Sequence, residues 1–164
     1  MPEDAPNNDQ QQQDSDQTCY ALALSSGASK GAYQAGVIAQ LVTGPDSDLF
    51  QWDVISGVSA GAINGAAVAS FYKEEQTELS DFLGNFWQHK INNSNVKPDW
   101  DDGYILHPSR YDNKIQKEWG IDLIKELLPD NAQFKRKLSV GVTELLTMNG
   151  YTFKSYDLNA PLVS

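Results

Sequence analysis

Twice near its beginning, the chain passes from a short apolar run, through a loop of small residues, into a segment with helical spacing. The first passage covers 19–42 and the second covers 52–71. Nearly continuous apolar runs of this length are typical of strands buried on both faces. Because strands that alternate with helices form parallel pairs, the pattern predicts an α/β fold with a mainly parallel sheet.

The remainder of the chain predicts two more helices and a hairpin. Apolar residues at helical spacing indicate helices over 74–90 and 109–127. An Asn-Gly pair at 149–150 separates two apolar segments, 137–147 and 151–156, and this pair is a strong signal for a two-residue β turn.

Composition and charge narrow the class of protein. With 164 residues, 40% of them hydrophobic, the chain suits one domain with a substantial core. The net charge of −10 argues against a nucleic-acid partner, since phosphate contacts need a basic face. Residues 1–18 are rich in Gln, Asn and Asp, and we expect a disordered acidic tail followed by one folded unit over 19–164.

Cysteine content and hydropathy suggest where the protein resides. Cys19 is the only cysteine, so the chain has no internal disulfide and no multi-cysteine metal site. No apolar stretch reaches the ~20 residues of a membrane span, and the acidic N-terminus does not resemble a secretory signal. We therefore expect a cytoplasmic protein that associates at most peripherally with membranes, and no metal or cofactor.

Two pentapeptides fit the pattern Gly-x-Ser-x-Gly, one at 27–31 and one at 57–61. In a nucleophile elbow, a serine occupies the strained apex between a strand and a helix, and flanking glycines allow the close backbone approach. The second pentapeptide has an apolar strand before it and a helix of small residues after it, so Ser59 is the better candidate nucleophile. The alternative is a tight strand-to-helix turn without chemistry.

The first loop has a different predicted role. It also joins a strand to a helix, so its backbone amides can converge on an anion, as in an oxyanion hole or a phosphate cradle. A nucleotide-binding α/β module is the competing hypothesis. That module expects a third glycine where this chain has Tyr33, and an acid at the end of the next strand, whereas Asp53 begins that strand.

Together the two loops resemble a known family. The segment 22–37, Leu-Ala-Leu-Ser followed by the loop and Gly-Ala-Tyr-Gln-Ala-Gly-Val, looks like the opening of a patatin-like phospholipase domain. The segment 53–64, Asp-Val-Ile-Ser-Gly-Val-Ser-Ala-Gly-Ala-Ile-Asn, is similar to the nucleophile segment of that family. The resemblance is high over 20–70 and loose over 136–159.

The resemblance implies a three-layer α/β/α domain and a lipid acyl hydrolase with a Ser–Asp dyad. A lipid or membrane-surface substrate would acylate the serine, and water would cleave the acyl-enzyme. The implied site comprises the nucleophile Ser59, the elbow glycines Gly57 and Gly61, and an oxyanion loop that includes Ser26, Gly27, Ala28, Lys30 and Gly31.

The chain departs from the family pattern in two places. The family's loop usually begins with three glycines, where this chain has Ser26, Gly27 and Ala28, and a Cβ is tolerated there only without positive φ. The family's catalytic Asp lies in a downstream Asp-Gly element, and Asp102-Gly103 is the only such pair here. We therefore expect an N-terminal part of the domain that is inactive by itself. The alternative is a non-catalytic lipid-binding or regulatory homologue.

Overall fold

The structure is a computed structural model that describes residues 18–91, 114–128, 133–143 and 147–156. The predicted tail falls outside these residues except for Thr18, as do Asp102 and Gly103.

The described chain begins with two strand–helix units, continues with further helices and ends with two strands. Strand β1 (Ala21–Leu24) leads through a 3₁₀ turn (Ala28–Lys30) into helix α1 (Gly31–Thr43). After a second 3₁₀ turn (Ser47–Phe50) come strand β2 (Val54–Val58), helix α2 (Ala60–Ser70) and helix α3 (Gln76–Asn85), which continues as a π-helical turn (Phe86–Lys90). Helix α4 (Lys114–Leu127) and strands β3 (Lys137–Thr143) and β4 (Gly150–Lys154) follow.

The four strands form one sheet in the order β1-β2-β3-β4. The first three strands are parallel, with Leu22 opposite Ile55 and Ile55 opposite Leu138. Strand β4 pairs with β3 in the antiparallel direction, so the predicted hairpin is confirmed. The expected two-residue turn at Asn149-Gly150 is wrong, because Gly150 lies opposite Thr143 within the ladder and the connection between the strands spans 144–149. The predicted α/β fold with a mainly parallel sheet is confirmed, and the helices that flank the sheet are consistent with a three-layer α/β/α arrangement.

The core lies between one face of the sheet and the helices. On that face Leu24, Ile55 and Leu138 are at most 7% exposed, and α2 packs directly over them. On the opposite face of β1, Ala21 and Ala23 are exposed. The prediction that the first strand is buried on both faces is therefore wrong, because only its Leu22 and Leu24 face joins the described core.

Polar anchors hold the ends where β2 and β3 begin. Arg136 is only 7% exposed. Its Nε and Nη2 donate to the carbonyl oxygens of Phe71 and Tyr72, each at 3.0 Å, and its Nη1 donates to the Trp52 carbonyl at 3.4 Å. Burial lowers the pKa of Arg136, and nearby carboxylates oppose that shift. The guanidinium thus joins the end of α2 to the start of the sheet.

A carboxylate beside this anchor begins β2. Asp53 accepts a hydrogen bond from the Tyr20 amide at 3.0 Å and forms an ion pair with Lys73. The Lys73 hydrogen bond, and then the Tyr20 amide, hold the pKa of Asp53 below its ordinary value. Asp53 therefore has a structural role at the end of β2 that lies away from Ser59.

None of the helices in the described ranges has the length and apolar character that crossing a membrane requires.

Candidate active site

Ser59 occupies a strained backbone conformation between β2 and α2. Its φ is 55° and its ψ is −124°, a region that residues with a Cβ rarely adopt. A serine that precedes a helix usually caps it through its hydroxyl, yet this side chain makes no such bond. The hydroxyl is exposed and has no hydrogen-bond partner among the described residues. This is the geometry of a nucleophile elbow.

The glycines on either side make this turn sterically feasible. A Cβ on Gly57 would collide with the backbone carbonyl of Gly61, on the first turn of α2. A Cβ on Gly61 would in turn collide with the carbonyl of Leu24 and lie 2.7 Å from that of Ser25. Since all of these obstacles are backbone atoms, neither position accommodates a side chain without moving a strand or the helix.

The loop between β1 and α1 is a single tight turn with unused donors. The amide of Lys30 donates to the Gly27 carbonyl at 2.8 Å, and the amide of Gly31 donates to the Ala28 carbonyl. Within the described residues, no acceptor is bonded to the amides of Gly27 and Ala28. These two adjacent amides are therefore left without an acceptor among the described residues.

Ala28 carries the backbone strain of this loop. Its φ is 45°, whereas Gly27 has an ordinary φ of −151° and Ser26 is not among the residues with positive φ. A Cβ in this loop is tolerated only without a positive φ. Ser26 meets that condition and Ala28 does not. The loop therefore holds an alanine in a conformation that favours glycine.

Close packing brings this loop and the elbow together. Strands β1 and β2 are parallel neighbours, so the loops that follow them leave the same edge of the sheet. A Cβ built on Gly31 would lie 2.9 Å from the Cβ of Ala60, the residue after Ser59, and would overlap the Trp87 ring. The available amides and the candidate nucleophile therefore belong to two turns in direct contact.

The other serine motif does not form an elbow. Ser29 lies inside the 3₁₀ turn, is exposed, and has no positive φ. The two Gly-x-Ser-x-Gly segments thus differ in backbone conformation, with a positive φ at Ser59 and none at Ser29.

Sequence reasoning assigned no site role to three polar side chains, Asn64, Gln34 and Trp87. The Asn64 side chain joins the other two by hydrogen bonds. Asn64 bonds to Gln34 and to Trp87 at 2.9 and 2.7 Å. The available signal is Asn64 itself, because asparagine is a poor helix former and here it interrupts a helix of small apolar residues.

The sequence was also compared with models of protein families. The family model for patatin-like phospholipase matches residues 22–164. The chain belongs to the patatin-like phospholipase family. No curated protein matches it.

Membership assigns this patatin-like domain to a family of hydrolases in lipid metabolism. Across the described ranges, no three His, Cys, Asp or Glu side chains are grouped in a way that could hold a metal ion.

Proposed function

We propose that the protein is a serine lipid acyl hydrolase whose nucleophile is Ser59. The observation that carries this proposal is the elbow conformation of Ser59, with its exposed and unbonded hydroxyl, in contact with a loop that has two available amides. Membership of the patatin-like family supports an ester of a lipid as the substrate class.

In the proposed first step, Ser59 Oγ attacks the ester carbonyl carbon while a general base takes its proton. The carbonyl oxygen becomes an oxyanion that the amides of Gly27 and Ala28 bind. The ester C–O bond then breaks, the base returns the proton to the leaving oxygen, and an alcohol departs from the acyl-serine. Removal of one such donor typically costs about 3–4 kcal/mol of transition-state stabilisation. The amides of Lys30 and Gly31 contribute indirectly, because they close the turn that aims the other two.

In the proposed second step, the same base activates a water molecule, which hydrolyses the acyl-serine. An aspartate is the expected base, as the resemblance to patatin-like enzymes implies. No carboxylate in the described ranges is bonded to Ser59, and Asp53 lies at the other end of β2. Asp102, which is in the Asp-Gly pair of the sequence, lies outside the described residues.

The nucleophile and its loop can be tested without the base. Ser59→Cys, made in a Cys19→Ser background, provides a thiolate that needs no general base, and the N-terminus of α2 favours that thiolate. The thiolate attacks the carbonyl carbon of p-nitrophenyl octanoate, p-nitrophenolate leaves with the electron pair of the broken C–O bond, and a thioester remains on the protein. Ser29→Cys in the same background is the matched control.

We expect one p-nitrophenolate per chain from Ser59→Cys, released at least about 100-fold faster than from Ser29→Cys, which is the effect of one oxyanion donor. Equal rates in the two variants would overturn the proposal. A lipid substrate further predicts faster acylation by the octanoyl ester than by the acetyl ester. If the thiol of Ser59→Cys remains unreactive while the chain still binds lipid vesicles, the non-catalytic lipid-binding alternative is supported instead.

A further inference from the structure

One polar side chain is completely buried in the helix that begins at the nucleophile. Asn64 is 0% exposed and lies in α2 among small residues. A buried amide without partners destabilises a protein strongly, so the hydrogen bonds of Asn64 indicate why it is there. Those bonds all lead to the neighbourhood of the oxyanion loop.

The amide of Asn64 uses both of its donors and its acceptor. Its Nδ2 donates to the Gly31 carbonyl at 3.0 Å and to Gln34 Oε1 at 2.9 Å. Its Oδ1 accepts from Trp87 Nε1 at 2.7 Å. Since an indole nitrogen can only donate, the Trp87 bond fixes which end of the amide carries the oxygen.

Gln34 extends this chain of bonds to the other end of the loop. Its Oε1 accepts from Asn64, and its Nε2 donates to the Ser25 carbonyl at 3.3 Å. Asn64 therefore holds the end of the oxyanion loop directly at Gly31, and its beginning through Gln34 at Ser25. The bonds from Trp87 through Asn64 and Gln34 to Ser25 run in one direction, which strengthens each of them.

The ring of Trp87 makes this arrangement rigid. Trp87 belongs to the π-helical turn, a local distortion that is frequent at functional sites. Its six-membered ring fills the space beside Gly31, where an added Cβ would lie 2.6 Å from Cζ2. The loop thus rests against α2 through Ala60 and against the indole through Gly31.

We propose that Asn64 is a positioning residue for acyl transfer: its amide sets the distance between the oxyanion loop and Ser59. This inference rests on the function proposed above and assigns it a residue that the implied Ser–Asp dyad does not include. The loop contains a strained residue, Ala28, and the elbow contains another, Ser59, so both need external bonds to keep their conformations. Asn64 provides such bonds to the loop, at Gly31 and through Gln34, from a position five residues after the nucleophile.

The test compares two reactions of one thiol. In the Cys19→Ser, Ser59→Cys background, acylation by p-nitrophenyl octanoate needs the oxyanion donors. Alkylation by iodoacetamide forms a C–S bond and expels iodide without an oxyanion, so it reports only on the thiolate and its exposure. The ratio of the two rates isolates the contribution of the loop from general effects on folding or access.

Asn64→Leu keeps the shape of the side chain and removes all three hydrogen bonds. We expect its acylation rate to fall at least about tenfold, a fraction of the loss of a whole oxyanion donor, with alkylation unchanged within about twofold. Gln34→Met removes two of the bonds, those to Asn64 and Ser25, and Trp87→Phe removes one, so each should give a smaller loss in the same ratio. Gln40→Met, the same change at an exposed position of α1, is the control and should change neither rate.

The possible results separate this inference from the function on which it rests. If Ser59→Cys acylates no faster than Ser29→Cys, the proposed function fails first. If Ser59→Cys acylates rapidly and the three variants keep its ratio of rates, the positioning role of Asn64 is overturned. Circular dichroism establishes that each variant is folded, and if Asn64→Leu is not, Gln34→Met and Trp87→Phe decide the question.

Discussion

At the scale of single residues, the candidate site concentrates backbone strain. Only three described non-glycine residues have positive φ, and two of them are Ser59 at 55° and Ala28 at 45°. Strain of this kind persists only where the surroundings enforce it, and it is most frequent at functional sites. The nucleophile and one proposed oxyanion donor are thus the residues that the fold holds away from their preferred conformations.

The strain at Ala28 leads to a first prediction. Ala28→Gly removes a Cβ from a positive-φ position, which relieves about 1–2 kcal/mol of steric strain in the folded state. It also makes the unfolded chain more flexible, which raises the entropic cost of folding by about 0.5–1 kcal/mol. We expect the free energy of unfolding, measured in urea, to stay equal or rise by up to about 1 kcal/mol. Acylation of the Ser59→Cys thiol should not slow, because the amide of residue 28 is retained.

Ser26→Gly is the matched comparison for Ala28→Gly. Since Ser26 does not have positive φ, it has no strain to relieve, and the variant should lose about 0.5–1 kcal/mol. If Ala28→Gly is destabilised as much as Ser26→Gly, the positive φ of Ala28 contributes no strain and this interpretation of the loop is wrong.

The sequence predicts Ser59 but not Asn64, for a physical reason. The elbow is a local feature, since its glycines, its strand and its helix all lie within a few residues of the serine. The partners of Asn64 are 33, 30 and 23 residues away along the chain, at Gly31, Gln34 and Trp87. A network of that kind exists only after α1, α2 and the π-helical turn have packed together.

At the scale of elements, α2 determines how closely the two loops approach. Its first turn lies on the backbone at the end of β1, with no side chain between them at Gly61. Gly65, one turn later, has the Ile55 side chain 3.0 Å from where its Cβ would be. Helix and sheet are therefore in direct backbone contact where the chemistry is proposed, and that contact requires glycine.

This contact gives a second prediction, from two glycine-to-alanine changes in helices. Gly61→Ala should lower the free energy of unfolding by at least about 2 kcal/mol, because the new methyl meets the Leu24 carbonyl, which cannot move aside. Gly36→Ala, in α1, meets no atom within 4 Å and should raise stability by up to about 1 kcal/mol through helix propensity. Urea unfolding of both variants measures the two effects, and similar values would contradict the close contact of α2 with β1.

The ion pair at the start of β2 gives a third prediction, on pH. Because the folded pKa of Asp53 lies below its unfolded value, its contribution is complete above the unfolded pKa of about 3.9 and disappears as the pH falls through the folded pKa. Both side chains are about a third exposed, at 32% and 33%, so solvent screening limits the contribution. It should be at most about 1 kcal/mol.

Thermal unfolding between pH 7 and pH 3 tests that sign. The difference in unfolding midpoint between the wild type and Asp53→Asn should be largest near neutral pH. It should shrink below about pH 4, which is close to the pKa of an aspartate in the unfolded chain. Lys73→Met should remove most of the same difference, and the double variant should add little to it. A difference that grows as the pH falls would be the wrong sign for a carboxylate with a lowered pKa.

Element by element, what the sequence predicts depends on whether the cause is local. The strand–helix passages and the helix positions follow from apolar spacing. The antiparallel pairing of β3 with β4 is also predicted, but its connection spans 144–149 instead of a two-residue turn at the Asn-Gly pair. The burial of β1 does not follow, because an apolar strand is covered on both faces only if neighbours exist on both, and Ala21 and Ala23 have none in the described part of the fold. The burial of Arg136 does not follow from the sequence either, because a run of three charged residues, 135–137, is typical of an exposed segment.

At the scale of the whole molecule, the two ends of the parallel strands have different roles. The ends where β2 and β3 begin are fastened by Arg136 and Asp53, which are engaged with backbone groups. The opposite ends lead into the loop and the elbow, where the Ser59 hydroxyl and the amides of Gly27 and Ala28 are left unbonded among the described residues. Parallel sheets place their ligands at the carboxyl ends of the strands, and this molecule has its available groups there.

That separation gives the last prediction, which concerns the general base. General-base catalysis typically contributes about 10²–10⁴-fold, and no carboxylate in the described ranges reaches Ser59. We therefore expect the 164-residue chain with serine at position 59 to be acylated by p-nitrophenyl octanoate at least about 100-fold more slowly than the Ser59→Cys variant.

The acylation rate of the chain with serine at position 59 should increase in proportion to hydroxide concentration up to about pH 9, since an unassisted hydroxyl ionises far above that range. The rate of the Ser59→Cys variant should instead level off once its thiol has ionised, below the ordinary thiol pKa of about 8.5. If the wild type reacts as fast as the thiol and its rate levels off above an acidic pKa, a carboxylate already serves Ser59 within these 164 residues, and Asp102→Asn is the first variant to examine.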